Sequence, residues 1–295
     1  MSEFILSCCS PVDMTEEHLI KNGVNYLGFK YYLDDKEYDD DFGKTLSAED
    51  FYKALVNGAE PRTSQINTER YCEYFEKFLK DGKDILHICF SSGLSGTYNS
   101  CNIAKGILEE QYPDRKIVIV DSLAASSGYG ILVMLAAELK NEGKTLEEIA
   151  EFLEANKLKV HHWFFSTDLT FFVKGGRITK AAGWFGTMLK ICPLLNVSNE
   201  GKLIPRYKVR TKPKVIEEIV KQMEQFADKG LQYDGKCYIS HSAVIEDATA
   251  VKDLVEQKFP NLKGKVEVFD IGTLIGCHTG VGTVALFFLG DERVD

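Results

Sequence analysis

The sequence lacks the marks of several protein classes. No apolar run reaches the ~18–20 residues that span a bilayer. The opening stretch, Met1-Ser2-Glu3-Phe4-Ile5-Leu6-Ser7-Cys8-Cys9, has neither the basic region nor the long apolar core of a secretory signal. Both absences point to a cytoplasmic protein. Positive charge is scarce: 35 Lys and Arg stand against 44 Asp and Glu, a formal net charge of −9. A chain this acidic, with no basic helix, is a poor candidate for displacing counterions from nucleic acid. A small anion is not excluded, because a few local cations can hold one whatever the total. The eight cysteines, at positions 8, 9, 72, 89, 101, 192, 237 and 277, form no CxxC or Cys/His group with zinc spacing. No metal is therefore expected, and the cysteines read as reduced, buried thiols. There is no GxxxxGK[ST] phosphate loop, no GxSxG elbow, no repeat, no low-complexity tract and no Gly/Ser- or Pro-rich linker.

What is present is ordinary globular material. Hydrophobic residues make up 44% and charged residues 27% of 295 positions, which excludes a disordered or fibrous chain. At roughly 150 residues per domain the length suggests two domains. In the first half Phe4–Ser7, Ile85–Phe90 and Ile117–Val120 are short apolar runs, as expected of buried parallel strands. Between them Tyr71, Tyr74, Phe75, Phe78 and Leu79 fall on one helical face, with Asn67 as a cap. Thr145-Leu146-Glu147-Glu148 fits a capping box. Strands alternating with such helices predict an N-terminal α/β domain with a mostly parallel sheet flanked by helices. The second half predicts a C-terminal mixed sheet with helices. Its features are a hairpin turning at Ser198-Asn199-Glu200-Gly201, a helix from about Pro213, and strands near Cys237–Ser240 and Val266–Ile271. We place the boundary near His161-His162-Trp163, giving domains 1–162 and 163–295 that pack closely.

Several segments carry residues suited to chemistry. Strand Ile85–Phe90 runs into Ser91-Ser92-Gly93-Leu94-Ser95-Gly96-Thr97-Tyr98. A strand, a Gly/Ser-rich turn and a helix form an anion site when unpaired N–H groups face the ligand; the same residues also serve as a plain strand-to-helix connection. Pro61-Arg62-Thr63-Ser64-Gln65 is a second hydroxyl cluster and reads as a polar turn before the Asn67 helix. Lys174-Gly175-Gly176-Arg177 brings backbone and guanidinium close to one point, and Arg suits carboxylate or phosphate. Arg210 follows the second hairpin strand in Lys208-Val209-Arg210-Thr211. Three glycines surround His278 in Ile271-Gly272-Thr273-Leu274-Ile275-Gly276-Cys277-His278-Thr279-Gly280, where the imidazole can act as an acid, a base or a polar ligand group.

Thr63-Ser64-Gln65, Ser91 through Tyr98, Lys174 through Arg177, Lys208 through Thr211, and Ile271-Gly272 through Gly280 occur in one order over nearly the whole chain. Together they resemble the DegV family, the fatty-acid-binding subunits of bacterial fatty acid kinase. The resemblance implies two α/β domains with one long-chain fatty acid in an apolar tunnel between them. It implies that Thr63, Ser64, Ser91, Ser92 and Gly93 hold the carboxylate, with His278 nearby, and that Arg177 and Arg210 face the kinase. It further implies a non-catalytic carrier with no cofactor. The carrier would present the carboxylate to a separate kinase catalytic subunit and pass the acyl phosphate to phospholipid synthesis, with a transient membrane contact.

Two departures stand out. The family's first strand leads into an Asp-Ser pair, whereas this chain has Ser7-Cys8-Cys9-Ser10 with an apparent one-residue insertion before Asp13. A family Pro in the last motif is also replaced. The competing reading is a hydrolase or transferase acting on a small acid or ester, with Ser92 or Cys9 as nucleophile and His278 as base. No third member of a triad is apparent for it.

Overall fold

The chain folds into three sheets joined by helices; the structure is a computed structural model that describes residues 4–179 and 191–293. The first sheet is four-stranded and wholly parallel. Its order is Val24–Leu27, Phe4–Cys9, Asp84–Cys89, Ile117–Asp121. The two central strands are apolar and almost fully buried, as sequences covered on both faces must be. The second sheet is six-stranded, in the order Leu203–Arg210, Ile191–Val197, Val160–Ser166, Thr283–Leu289, Cys237–His241, Glu267–Asp270. All of its pairings are antiparallel except the last. The chain is therefore α/β, with a parallel sheet in its first half and a mixed sheet in its second. The strand that carries His162 and Trp163 belongs wholly to the second sheet.

The expected elements form for the expected reasons. Helix Thr68–Lys80 starts at Asn67, whose side chain accepts from Arg70 N, and it buries Tyr71, Tyr74, Phe75 and Leu79. Helix Leu146–Asn156 opens with the complete Thr145/Glu148 capping box. The hairpin of Ile191–Val197 and Leu203–Arg210 turns through Ser198–Gly201. One element differs from the sequence reading. Pro61–Ser64 is not a turn but an edge strand of a small antiparallel sheet with Lys30–Leu33 and Lys36–Asp39. In that sheet Thr63 lies opposite Tyr31. The strand is only four residues long and begins with Pro, so local composition favours a turn; pairing with Lys30–Leu33 overrides it.

Helix Ser126–Asn141 lies between the two large sheets and is buried from Ser126 to Met134. One core runs across this helix, joining Leu6, Ile88 and Tyr129 to Phe164, Leu195 and Phe287 of the second sheet. A second core, around Trp163, Met223 and Phe259, fills the far side of the six-stranded sheet. Among the described residues no helix is long and apolar enough to cross a membrane. All eight cysteines are free thiols; seven are buried and Cys72 is half-buried.

Candidate functional site

A cavity of about 490 Å³ opens where the ends of these elements meet. That volume lies within the range of small-molecule sites. Its apolar walls come from Phe29 and Phe90 on one side and from Phe164, Phe172, Ala285 and Phe287 on the other. Its polar lining includes Thr63, Ser64, Ser92, Arg177 and His278. These residues lie in the edge strand, the Ser91–Gly96 turn, the turn after helix Thr170–Lys174, and helix Thr273–Thr279.

The closest contact within this group joins the two halves of the sequence: Thr63 Oγ1 lies 2.9 Å from His278 Nε2. His278 Nδ1 is buried and has no partner among the described residues. Burial, reinforced by the nearby Arg177 charge, pushes the imidazole pKa down to about 3. The ring is therefore neutral at ordinary pH and offers hydrogen bonds but no charge. Gly175 makes room for it: a Cβ there would sit 2.2 Å from His278 Nδ1. This close approach is what the first glycine of Lys174-Gly175-Gly176-Arg177 provides.

Arg177 is half-buried and lines the cavity. Its Nε and Nη2 donate to Leu94 O at 3.2 and 3.0 Å, and Nη1 donates to Gly175 O at 2.5 Å. The guanidinium thus ties the Ser91–Gly96 turn to the glycine turn. Three of its five N–H groups are engaged with backbone carbonyls, so it braces the two turns and also supplies positive charge to the site. Arg210 is exposed at the end of the edge strand Leu203–Arg210, away from the cavity lining.

In the Ser91–Gly96 turn the N–H groups of Ser92 to Ser95 are taken up within the protein. Ser92 N donates to Asp121 Oδ1 at 3.1 Å and Gly93 N to Ser91 Oγ at 3.2 Å. Leu94 N and Ser95 N both donate to Ser91 O. Ser91 and Gly93 do not line the cavity. Ser91 is fully buried and donates to Gly201 O at 2.9 Å. Gly93 packs against the hairpin turn, where a Cβ would come within 2.3 Å of Glu200 O. Both residues fasten the turn to the second half of the chain; the exposed Ser92 lines the cavity together with Leu94, Ser95 and Gly96. Ser64 lines the cavity, with its hydroxyl 3.4 Å from Lys30 O.

The sequence reading missed a buried acid network behind the site. Ser126 lines the cavity, and its hydroxyl donates to Asp13 Oδ2. Asp13 Oδ1 accepts from Gly272 N at 2.9 Å, just before the helix that carries His278. Ser10 Oγ donates to Asp40 Oδ2 at 2.5 Å, and Asp40 Oδ1 accepts from Thr273 Oγ1 at 3.0 Å. An acid and a hydroxyl are thus present after Cys8-Cys9, as Asp13 and Ser10. Asp13 and Ser126 both have left-handed backbone (φ 44° and 55°), unusual for residues other than glycine and frequent at functional sites. That strain is invisible in the sequence.

The nucleophile arrangement does not assemble. Cys9 is fully buried, lies outside the cavity lining and contacts Tyr71 and His87. Burial, with Cys89 beside it, raises its thiol pKa well above the ordinary value, the opposite of an activated nucleophile. His278 Nε2 pairs with Thr63 rather than Ser92, and no carboxylate among the described residues backs its other nitrogen.

Comparison with known proteins agrees with this architecture. The family model described as "Uncharacterised protein, DegV family" matches residues 10–291. A DegV domain-containing protein of Clostridium perfringens is 38% identical over 293 residues, 99% of each chain. A solved structure described as fatty acid binding of a DegV family protein from Thermus thermophilus has a TM-score of 0.85 at 26% identity; the match covers 98% of this chain and 100% of that one. The fold is also that of the Streptococcus pneumoniae Fatty Acid Kinase (Fak) B3 protein loaded with linoleic acid, with a TM-score of 0.81 at 20% identity over 99% and 100% of the two chains. The chain belongs to the DegV family.

Proposed function

We propose that the protein binds one long-chain fatty acid, with the acyl chain among the phenylalanines and the carboxylate at Thr63, Ser92 and His278. The observation that carries this reading is one cavity lined by phenylalanines and also by the hydrogen-bonded pair Thr63–His278, the hydroxyl residue Ser92 and Arg177. At ~0.8 kcal/mol per buried CH₂, roughly 15 methylenes offer up to ~12 kcal/mol, reduced by binding entropy and imperfect burial. The head group then needs only to fix orientation. Neutral donors such as Thr63, Ser92 and His278 leave a carboxylate oxygen able to attack a phosphoryl group. The Thermus relative named for fatty acid binding supports the ligand class.

We further propose that the protein is a non-catalytic carrier that presents the carboxylate to a separate ATP-dependent kinase subunit. The shared fold with the pneumococcal kinase protein supports this. Ser92 and Gln65 are exposed and line the cavity, which supports a head group accessible to a partner. Mass spectrometry of material released from the denatured, purified protein tests the ligand assignment. Stoichiometric long-chain fatty acid is expected. Its absence, together with failure to bind added oleate or palmitate, would overturn the carrier reading.

A further inference from the structure

Beneath the Ser91–Gly96 turn lies a second group of reactive side chains that the lipid site does not use. Strands Phe4–Cys9 and Asp84–Cys89 pair in parallel with Cys8 opposite Ile88. Cys9 and Cys89 follow those two residues and so stand side by side at the strand ends. His87, two residues before Cys89, shares its face. All three side chains are fully buried. Their ligand atoms, Cys9 Sγ, Cys89 Sγ and a ring nitrogen of His87, lie within 4.8 Å of one another. The residues come from positions 9, 87 and 89, so no local Cys spacing announces the group.

Three features fit a metal centre better than a chance cluster of thiols. The first is geometry: Cys9 Sγ lies 3.6 Å from His87 Nε2. In a tetrahedral site with metal–sulfur and metal–nitrogen bonds of about 2.3 and 2.0–2.1 Å, those two donors are also about 3.6 Å apart. The second is orientation. His87 Nδ1 lies 2.8 Å from Ser7 Oγ, which in turn lies 3.0 Å from Tyr74 OH. This pair holds the ring with Nε2 toward the sulfurs, the role outer partners play for a metal-bound histidine. The third is a fourth donor: Tyr71 OH lies 3.3 Å from Cys9 Sγ and 3.7 Å from Cys89 Sγ.

Charge selects the ion. Two thiolates, a neutral imidazole, a phenol and a dication sum to zero, whereas a monovalent ion leaves a net negative charge in a wholly buried place. Uncompensated buried charge is costly. Sulfur and imidazole donors favour the zinc class over magnesium or calcium. We propose that Cys9, His87 and Cys89, with Tyr71 as the fourth donor, bind one thiophilic divalent cation of the zinc type. Binding releases the two thiol protons. The ion would pin together the ends of the two strands that lead into Ser10 and the Ser91–Gly96 turn. With its donors fully buried, the ion would enter as the chain folds.

The test uses the full chain, refolded under reducing conditions with cobalt(II) as a spectroscopic stand-in and then with zinc. The expected result is one cobalt per chain, with thiolate-to-cobalt absorption in the near ultraviolet and tetrahedral bands in the visible. Cys9→Ser and Cys89→Ser should each abolish those bands, and Cys72→Ser should keep them. Wild-type protein refolded with zinc should melt at a higher temperature than protein refolded with a chelator. This second measurement decides the matter if the serine variants do not fold. Absence of cobalt bands in the wild type overturns the proposal, as do bands that survive both variants. So does an intact mass showing Cys9 and Cys89 joined as a disulfide.

Discussion

Thr63 Oγ1 and His278 Nε2 lie 2.9 Å apart across 215 residues of sequence. The bond joins the edge strand of the small sheet to a short helix that follows the last strand of the six-stranded sheet. It therefore depends on the whole fold. With the imidazole pKa pushed down to about 3, neutral His278 can keep this bond without competing with Arg177 for negative charge. Thr63→Val preserves shape and removes the hydroxyl. On the proposed carrier reading, fatty acid affinity should fall by about tenfold, the scale of one hydrogen bond to a charged group. Calorimetry with oleate measures it, and unchanged affinity would remove Thr63 from the head-group site.

Ser92→Ala should weaken fatty acid binding by about tenfold to a hundredfold, less than the acyl chain contributes. Ser92 lines the cavity and its N–H is bonded to Asp121, so on the proposed reading its hydroxyl is the group it offers the carboxylate. A fatty alcohol of the same length carries no carboxylate and should bind both proteins nearly equally. Equal losses for acid and alcohol would show that Ser92 supports the turn or the cavity wall instead.

The two arginines should separate. Arg177 links Leu94 O to Gly175 O in the cavity wall, so Arg177→Ala should lower both lipid affinity and kinase-dependent phosphorylation. Arg210 is exposed and outside the lining, so Arg210→Ala should leave lipid affinity unchanged and lower phosphorylation alone. Binding titrations and a phosphorylation assay on the same preparations read both effects. Loss of lipid binding in Arg210→Ala would contradict this division.

Much of the fold was legible because the relevant signals are local. Apolar runs such as Ile85–Phe90, the Asn67 cap and the Thr145/Glu148 box act within a few residues, and each forms as read. The site was legible only in part, through the family's motif order. Ser91 and Gly93 carry the motif, yet they secure the turn to Gly201 and Glu200 instead of facing the cavity. A one-dimensional motif does not distinguish residues that touch a ligand from residues that hold those that do. The strand Pro61–Ser64 was hidden because its partner, Lys30–Leu33, is far off in sequence. The Asp13–Ser126–Gly272 link was hidden for the same reason, as was the Cys9–His87–Cys89 group, since Cys9 lies far in sequence from the His87/Cys89 pair.

That acid link makes the last prediction, which concerns pH. Burial pushes the Asp13 carboxyl up to about 7, against the lowering effect of its hydrogen bonds from Ser126 and Gly272; Asp40 and Asp270 raise it further. In the unfolded chain the same group titrates near ~3.9. Between about pH 4 and 7 the folded protein therefore keeps a proton that the unfolded chain gives up. Stability from this group is fully present below about pH 4, falls as pH rises through the window by at most ~1.4 kcal/mol per pH unit, and levels off above about pH 7. Asp13→Asn keeps an oxygen to accept from Gly272 N and removes the titration. Asp40, whose pKa burial also raises, remains in both proteins, and its contribution largely cancels in the difference. The melting temperature of Asp13→Asn minus that of wild type should thus become more positive from pH 5 to pH 8. Ser126 lines the cavity and bonds Asp13 directly, so fatty acid affinity in the wild type should drift over the same window and that drift should shrink in the variant. Parallel melting curves across pH 5 to 8 would mean that Asp13 ionises in the folded protein as it does in the open chain, and that the link to Gly272 is an ordinary carboxylate bond.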